Sequence, residues 1–285
     1  MKCSVITVNY NNGNSLEKTI LSTINQQKFN DFEYLVIDGG SSDNSVDVIK
    51  KYSDRIDFWV SEPDKGIYDA MNKAVAIAKG KYCIFMNSGD CFHSEYVLNE
   101  IFNTLNCQQD FIAGDYSING TVRKSPSTVT AMTLFKTIER SICHQALFTK
   151  REILLRHPFQ TEYRIVADFV NQFQSLIFDN TSYQYVHVTI SDIEPGGLSA
   201  VNYKKLAEEK DAYLHSSLPQ RIYDDYLTFM SIKLIEYSDT ELYTILLKNK
   251  FNAHDIKIAS FVLKIIGYLK HVKGKILNIF RSKNT

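Results

Sequence analysis

The chain has 285 residues, enough to bury a full hydrophobic core, and one catalytic-sized domain with an appendage is the simplest parse. Its hydrophobic fraction of 44% and charged fraction of 22% are those of an ordinary globular protein, and 32 basic residues balance 32 acidic ones, so net charge argues for no nucleic-acid partner. The five cysteines, Cys3, Cys83, Cys91, Cys107 and Cys143, are widely spaced without a Cys-x-x-Cys pair, which reads as reduced thiols and argues against a zinc site.

Residues 3–10 form a β-rich run that follows the first methionine directly, with no leader-like apolar region and cleavage site, so a cytoplasmic protein is expected. No apolar run approaches the roughly 20 residues that a membrane-spanning helix needs. The first strand ends in the turn-prone Asn9-Tyr10-Asn11-Asn12-Gly13. Leu16, Ile20, Leu21 and Ile24 then repeat at helical spacing over residues 15–27. A second strand at 32–37 closes in Asp38-Gly39-Gly40-Ser41-Ser42-Asp43, where Asp43 or a neighbouring serine can cap a helix over 45–52. A third strand at 56–60, a loop at 61–66 and a helix over 67–79 stopped by Gly80 follow, and then a wholly apolar strand at 82–86.

Strands and helices alternating in this way predict an α/β fold with a largely parallel, Rossmann-like sheet flanked by helices. In such sheets ligands bind beyond the carboxyl ends of the strands. The loops 9–13, 38–43 and 87–90 all fall there and should line one crevice. After Asp110 the segments shorten: strands at 110–116, 145–149 and 183–190, a turn at Asn119-Gly120 and a helix over 165–178. Helical patterns run from Tyr203 to the end, giving expected divisions of 1–202 (a ligand-binding half, 1–92, and an acceptor half, 93–202) and 203–285.

Asp38, Asp64 and Asp90 come from the crevice edge, and a carboxylate-lined crevice repels anions unless a cation intervenes. Mg²⁺ or Mn²⁺ would bind carboxylate and phosphate oxygens together. Asp90, in Asn87-Ser88-Gly89-Asp90 directly after a buried strand, is the candidate ligand, whereas Asp43 is read as a turn and cap residue.

Four segments in order, Ser4-Val5-Ile6-Thr7-Val8-Asn9-Tyr10-Asn11, Leu35-Val36-Ile37-Asp38-Gly39-Gly40-Ser41-Ser42-Asp43, Ser61-Glu62-Pro63-Asp64-Lys65-Gly66-Ile67-Tyr68-Asp69-Ala70-Met71-Asn72-Lys73 and Asn87-Ser88-Gly89-Asp90, resemble family 2 glycosyltransferases of the GT-A fold. The third is similar to a subgroup of O-antigen, capsule and colanic-acid-type bacterial enzymes. The likeness covers about the first 90 residues and weakens towards residue 200. It implies transfer of a sugar from a nucleotide-sugar donor, UDP-linked by preference, to a saccharide or lipid-linked saccharide acceptor, with inversion. Val8, Asn9 and Tyr10 would meet the nucleoside, Asp38 the base, Asp64 and Asn72 the ribose or sugar, and Lys65 the phosphates, with Ser88 and Gly89 also in the donor site and Asp90 at the metal. Two departures stand out: the second strand ends in Asp38-Gly39 where many relatives carry two acids, and Asn87 and Gly89 occupy the usual Asp-x-Asp positions.

Inversion requires a base opposite the leaving nucleotide. Arg164-Ile165-Val166-Ala167-Asp168-Phe169 resembles the family's base segment and nominates Asp168. Cys143-His144-Gln145 resembles a His-Gln pair of these enzymes, assigning His144 and Gln145 to phosphate or acceptor; Asp115 is a further acceptor-side carboxylate. Gly196-Gly197-Leu198-Ser199 has the flexibility of a closing loop. Residues 255–283 interleave apolar residues with Lys257, Lys264, Lys270, Lys273, Lys275, Arg281 and Lys283. This pattern fits an anionic membrane surface and a peripheral place on the cytoplasmic face of the inner membrane. A non-catalytic nucleotide-sugar-binding or assembly protein is the alternative. An NAD-dependent enzyme is disfavoured by the lack of Gly-x-Gly-x-x-Gly after the first strand.

Overall fold

The computed structural model describes residues 1–127, 132–197 and 202–238, with side chains to 231. Strand β1 (Cys3–Asn9) leads into helix α1 (Gly13–Ile24), β2 (Phe32–Asp38), α2 (Ser45–Lys51), β3 (Phe58–Ser61), α3 (Ile67–Ile77) and β4 (Tyr82–Phe85). Each of β2, β4 and β3 lies parallel to its neighbour, and the order β3-β2-β1-β4 forms a wholly parallel half-sheet. Alternation along β1 divides the core. Val5 packs with Leu16 and Ile20 of α1 and Ile49 of α2, whereas Ile6 and Val8 face Met71, Ala74 and Val75 of α3. Helices therefore cover both faces, as the apolar strands require.

Helix α3 gives way at Ala78, before Gly80, so the expected glycine stop is corrected. Gly80 serves a close approach instead: a Cβ there would lie 2.3 Å from the Ser4 backbone nitrogen on β1. Asp43 behaves as read from sequence. Its carboxylate accepts from the Ser45 backbone nitrogen at 3.0 Å and from Gly13 at 2.9 Å, serving the amino ends of both α2 and α1.

The remainder is shorter and mixed. It comprises β5 (Cys91–Phe92), α4 (Val97–Asn99) widening into a π turn at Glu100–Thr104, β6 (Phe111–Ile118), β7 (Thr121–Arg123), α5 (Leu134–Glu139), β8 (Leu147–Lys150), α6 (Arg151–Arg156), α7 (Ala167–Phe173) and β9 (Tyr183–Ile193). Asn119 and Gly120 both take positive φ, 50° and 73°, in the hairpin joining β6 to β7. The full order is β3-β2-β1-β4-β8-β6-β9-β5, with β7 on β6, and antiparallel pairing begins where β8 meets β4. The strand expected at 145–149 starts at Leu147 because His144–Ala146 wind into a 3-10 turn, and the helix expected over 165–178 starts at Ala167 and loosens into a π turn at Gln174–Phe178.

Helices α8 (Tyr203–Ser217) and α9 (Gln220–Ser238) follow. The chain divides into two compact units, Met1–Tyr213 and Leu214–Thr285, the boundary falling inside α8. Within the second, the rings of His215 and Tyr223 meet edge-on at 5.0 Å. No helix among the described residues is long and apolar enough to cross a membrane. The basic segment 255–283 lies outside the described residues, as do Leu198 and Ser199 of the glycine-rich loop; Gly196 has φ +94°.

Candidate active site

Parallel register sets the floor of the crevice. Asn9 pairs with Asp38 and Asp38 with Ser61, so the last residues of β1, β2 and β3 stand in one row at the carboxyl edge. Asp38 is fully buried. Oδ1 accepts from Asn9 Nδ2 and Ser41 Oγ, both at 2.6 Å, and Oδ2 from the Ser41 backbone nitrogen at 2.9 Å and Ser61 Oγ at 2.6 Å. Burial alone would raise its pKa, but the donors from Ser41, Ser61 and Asn9 outweigh it and hold the carboxyl below its ordinary value. All four lone-pair positions of the carboxylate are thereby filled. Asp38, expected at the base, here fixes the 38–41 loop around Asn9.

The exposed ligand wall stands above this row. Tyr10 is 66% exposed at the end of β1, and Val8 is buried beneath it. A Cβ on Gly39 would lie 2.5 Å from Asp64 Oδ2 and 3.3 Å from the Tyr10 ring. Gly39 thus leaves room for an acid from another loop. Asp64 Oδ1 accepts from the Gly66 backbone nitrogen at 2.8 Å, and Lys65 is exposed beside it. Asn72 is not part of this wall. Its amide, expected near ribose or sugar, grips the backbone of Phe159 twice, donating to the carbonyl at 2.8 Å and accepting from the nitrogen at 3.0 Å.

After β4 the ladder continues through Met86 and Ser88, whose nitrogens donate to Ile6 and Val8, and brings the 87–90 turn beside β1. Ser88 Oγ is spent on the Asn12 carbonyl at 3.2 Å. Asp90 is buried, accepting from Gln145 Nε2 at 3.0 Å and from the Glu194 backbone nitrogen at 2.9 Å. Burial raises its pKa, and the nearby Glu194 carboxylate adds to the rise, against the lowering effect of these donors and of His144. Gly89, at φ +102°, is held by Thr19 through its nitrogen at 2.9 Å, and a Cβ on it would fall 1.8 Å from Glu194 Oε2. Glu194 escaped the sequence reading; it stands just beyond β9, and nothing in its local sequence marks it.

The antiparallel entry of β8 delivers the 3-10 turn His144–Ala146 to this same edge. His144 Nε2 lies 3.0 Å from Asn87 Nδ2, and Nδ1 lies 3.1 Å from Asp168 Oδ2. Facing an amide donor on one side and a carboxylate on the other, the imidazole accepts at Nε2 and donates from Nδ1. Both nitrogens are engaged, so His144, expected at phosphate or acceptor, joins two site residues. Its neighbour Gln145 holds Asp90. One turn therefore ties the metal candidate to the base candidate.

Asp168 opens α7 and is 21% exposed, as is His144. Oδ1 takes the Phe169 nitrogen at 2.9 Å and lies 3.0 Å from the Tyr68 hydroxyl, which also reaches the Ile165 carbonyl at 2.7 Å and has one proton to share. Oδ2 takes His144 and keeps one lone pair. Burial pushes the Asp168 pKa up, but His144 first, then Phe169 and Tyr68, bring it below the ordinary value, so the carboxylate is ionised at neutral pH. Burial also raises the Tyr68 phenol well above its usual range and keeps it neutral. Asp115 is not drawn into this group: it accepts from Tyr185 OH at 2.8 Å and the Ser125 nitrogen at 3.2 Å.

Residues 4–155 match the model of glycosyl transferase family 2. The chain belongs to that family. A PGL/p-HBAD biosynthesis glycosyltransferase of Mycobacterium bovis is 30% identical over 189 residues, covering 63% of this chain and 72% of the relative. The poly(ribitol-phosphate) beta-N-acetylglucosaminyltransferase TarP of Staphylococcus aureus is 34% identical over 133 residues, 45% of this chain and 40% of TarP. Among solved structures, S. aureus TarS 1-349 in complex with UDP-GlcNAc superposes with a TM-score of 0.62 at 16% identity, covering 90% of this chain and 77% of TarS 1-349. The chain spans 43% of a longer TarS chain. Mannosyltransferase PcManGT of Pyrobaculum calidifontis, in complex with GDP-Man and Mn2+, gives 0.59 at 16% identity over 76% of this chain and 65% of its own. The chain is thus a glycosyltransferase of GT-A fold, and the four segments of its first 90 residues fall within the matched range 4–155.

Proposed function

We propose that this glycosyltransferase is inverting and moves a sugar from a nucleotide-diphosphate donor, UDP-linked by preference, to a saccharide on a lipid carrier during cell-surface glycan assembly. Residues 1–202 are its catalytic part. The observation that carries this reading is the His144-Gln145 turn, which holds an ionised, partly exposed Asp168 and a buried Asp90 at one sheet edge. The donor class draws support from the UDP-GlcNAc and GDP-Man complexes of the structural neighbours, and the cell-surface setting from the names of the mycobacterial and staphylococcal relatives. Membrane association of segment 255–283, on the cytoplasmic face, would bring the enzyme to a lipid-linked acceptor; it rests on composition.

Asp90, with Glu194 beside it, would hold Mg²⁺ or Mn²⁺. No three His, Cys, Asp or Glu side chains converge among the described residues, but Mg²⁺ commonly takes one or two carboxylates and completes its shell with water and substrate phosphates. The raised pKa of Asp90 and the buried, unpartnered Asn87 Oδ1 fit a region that gains a ligand. When bound, the ion supplies positive charge for a departing diphosphate.

Tyr10 packs on the base and Asp64 faces the nucleoside. Asp168 Oδ2 takes the proton of the acceptor hydroxyl as its oxygen bonds to the anomeric carbon, a moment at which that proton is acidic enough for a carboxylate of low pKa. His144 fixes the lone pair that does this. A panel of nucleotide-sugars, with and without Mg²⁺ or Mn²⁺, offered to the full chain with saccharide acceptors, tests the reading. We expect one donor to give a product of inverted anomeric configuration by NMR. Retention would overturn it, and absence of turnover with every donor would favour a binding protein.

A further inference from the structure

Behind Tyr68, on α3, lies a cavity of about 310 Å³ lined by Lys65 to Asp69, Thr161, Tyr163 to Ile165, Asn202 and Lys205. Two of its walls are shared with the base. The Tyr68 hydroxyl touches both the Ile165 carbonyl and Asp168, so a ligand here is one side chain away from the carboxylate that receives the acceptor proton.

Charge in this cavity is lopsided. Lys65, Arg164 and Lys205 line it against Asp69 alone. Asp69 is already committed to the Lys65 backbone nitrogen at 3.0 Å and to Lys73 at 3.7 Å. Glu209, the other nearby acid, spends its oxygens on the backbone nitrogens of Arg164 and Ile165 and meets Lys205 at 3.9 Å. Neither Lys65 nor the Arg164 guanidinium has a carboxylate within ion-pair distance among the described residues. Three cations around a concave site with an aromatic floor suit a ligand with an oxyanion and an uncharged body, since guanidinium and ammonium donors bind oxyanions by charge-assisted hydrogen bonds.

We propose that this cavity is an acceptor subsite and that the acceptor carries a negative charge, as a phosphate or a carboxylate, next to the sugar that is extended. This rests on the reading of Asp168 as base. The expected place of Lys65 at the donor phosphates changes accordingly: it joins Arg164 and Lys205 on the acceptor side of Tyr68. Asp90, the metal candidate, stands at the same strand edge but beside β1 and the 3-10 turn, held by Gln145 and the Glu194 nitrogen, and is not part of the cavity lining.

Binding to the full chain by titration calorimetry, with glucose 6-phosphate, glucuronate and uncharged glucose as probes, tests the subsite without any need for turnover. We expect saturable binding of at least one anionic probe, none of glucose, and at least a tenfold loss of affinity in the double variant Arg164→Gln, Lys205→Gln. UDP or GDP affinity in that variant should stay within about twofold of the unaltered protein. Three results would overturn the proposal: no saturable binding of either anionic probe, glucose binding as tightly as its phosphate, or nucleotide affinity falling in step with probe affinity. The last would make the cavity part of the donor diphosphate site. If the unaltered protein binds the anionic probes through Arg164 and Lys205 but no nucleotide, the anion subsite stands and the donor reading fails instead.

Discussion

The two halves of the sheet spend their polar groups differently. In the parallel half, side chains of the binding loops are consumed locally: Asp38 by Asn9, Ser41 and Ser61, and Asp43 by the ends of two helices. In the mixed half, His144 and Gln145 reach outward to Asn87, Asp168 and Asp90. The first half is a prebuilt cradle whose rigidity comes from filled hydrogen bonds, and the second supplies groups with a lone pair left for chemistry. Substitutions in the cradle should therefore cost stability, and substitutions in the second half should cost rate.

The largest effect belongs to Asp168. Asp168→Asn keeps the shape but loses the basic lone pair, and transfer should fall at least about a hundredfold, the scale usual for a general base. Stopped assays of product formation at saturating donor read this directly. A loss of less than about fivefold would remove Asp168 from the role.

His144→Ala comes next, with transfer lowered between about tenfold and a hundredfold through a misplaced carboxylate. The pH profile separates positioning from mere damage. Asp168 must be ionised to act, so rate is present above its pKa and lost as pH falls through it. With His144 in place, that acidic limb lies below the ordinary carboxylate value of about 3.9. Without the imidazole the strongest lowering influence is gone and burial remains, so the limb should move to higher pH. An unmoved limb would show that His144 does not tune the carboxylate.

Asn72→Ala carries the smallest effect on function. It removes both hydrogen bonds to Phe159 and should cost about 1–3 kcal/mol of stability in denaturant titration while leaving nucleotide affinity within about twofold. A large loss of affinity without loss of stability would restore Asn72 to the ligand wall.

The parallel half was legible in the sequence because β1, β2 and β4 are buried on both faces and read as apolar runs, and its helices repeat Leu16, Ile20 and Met71, Ala74 at the three- and four-residue spacing of a helix face. What the loops do with their polar groups was not. Asp38 meets Ser61 across 23 residues, Asn72 meets Phe159 across 87, and Glu194 is brought to Asp90 across 104. These pairings are products of register and crossover, and no local pattern announces them. His144 and Asp168 were both singled out by resemblance, yet the bond between them becomes visible only once β8 enters antiparallel and sets its first turn against α7. The short strands and π turns of the second half weakened periodicity there, which is why its boundaries shifted by two or three residues.

The division between cradle and chemistry meets its most direct test in a crossed affinity measurement. Nucleotide-sugar binding would be titrated with and without Mn²⁺ in two variants, Asp90→Ala and Asp168→Asn. The account predicts that Asp90→Ala abolishes the gain in affinity that the metal gives, and that Asp168→Asn binds the donor, with the same metal response, as tightly as the unaltered protein. An unchanged metal response in Asp90→Ala, or a loss of donor affinity in Asp168→Asn equal to its loss of rate, would contradict it.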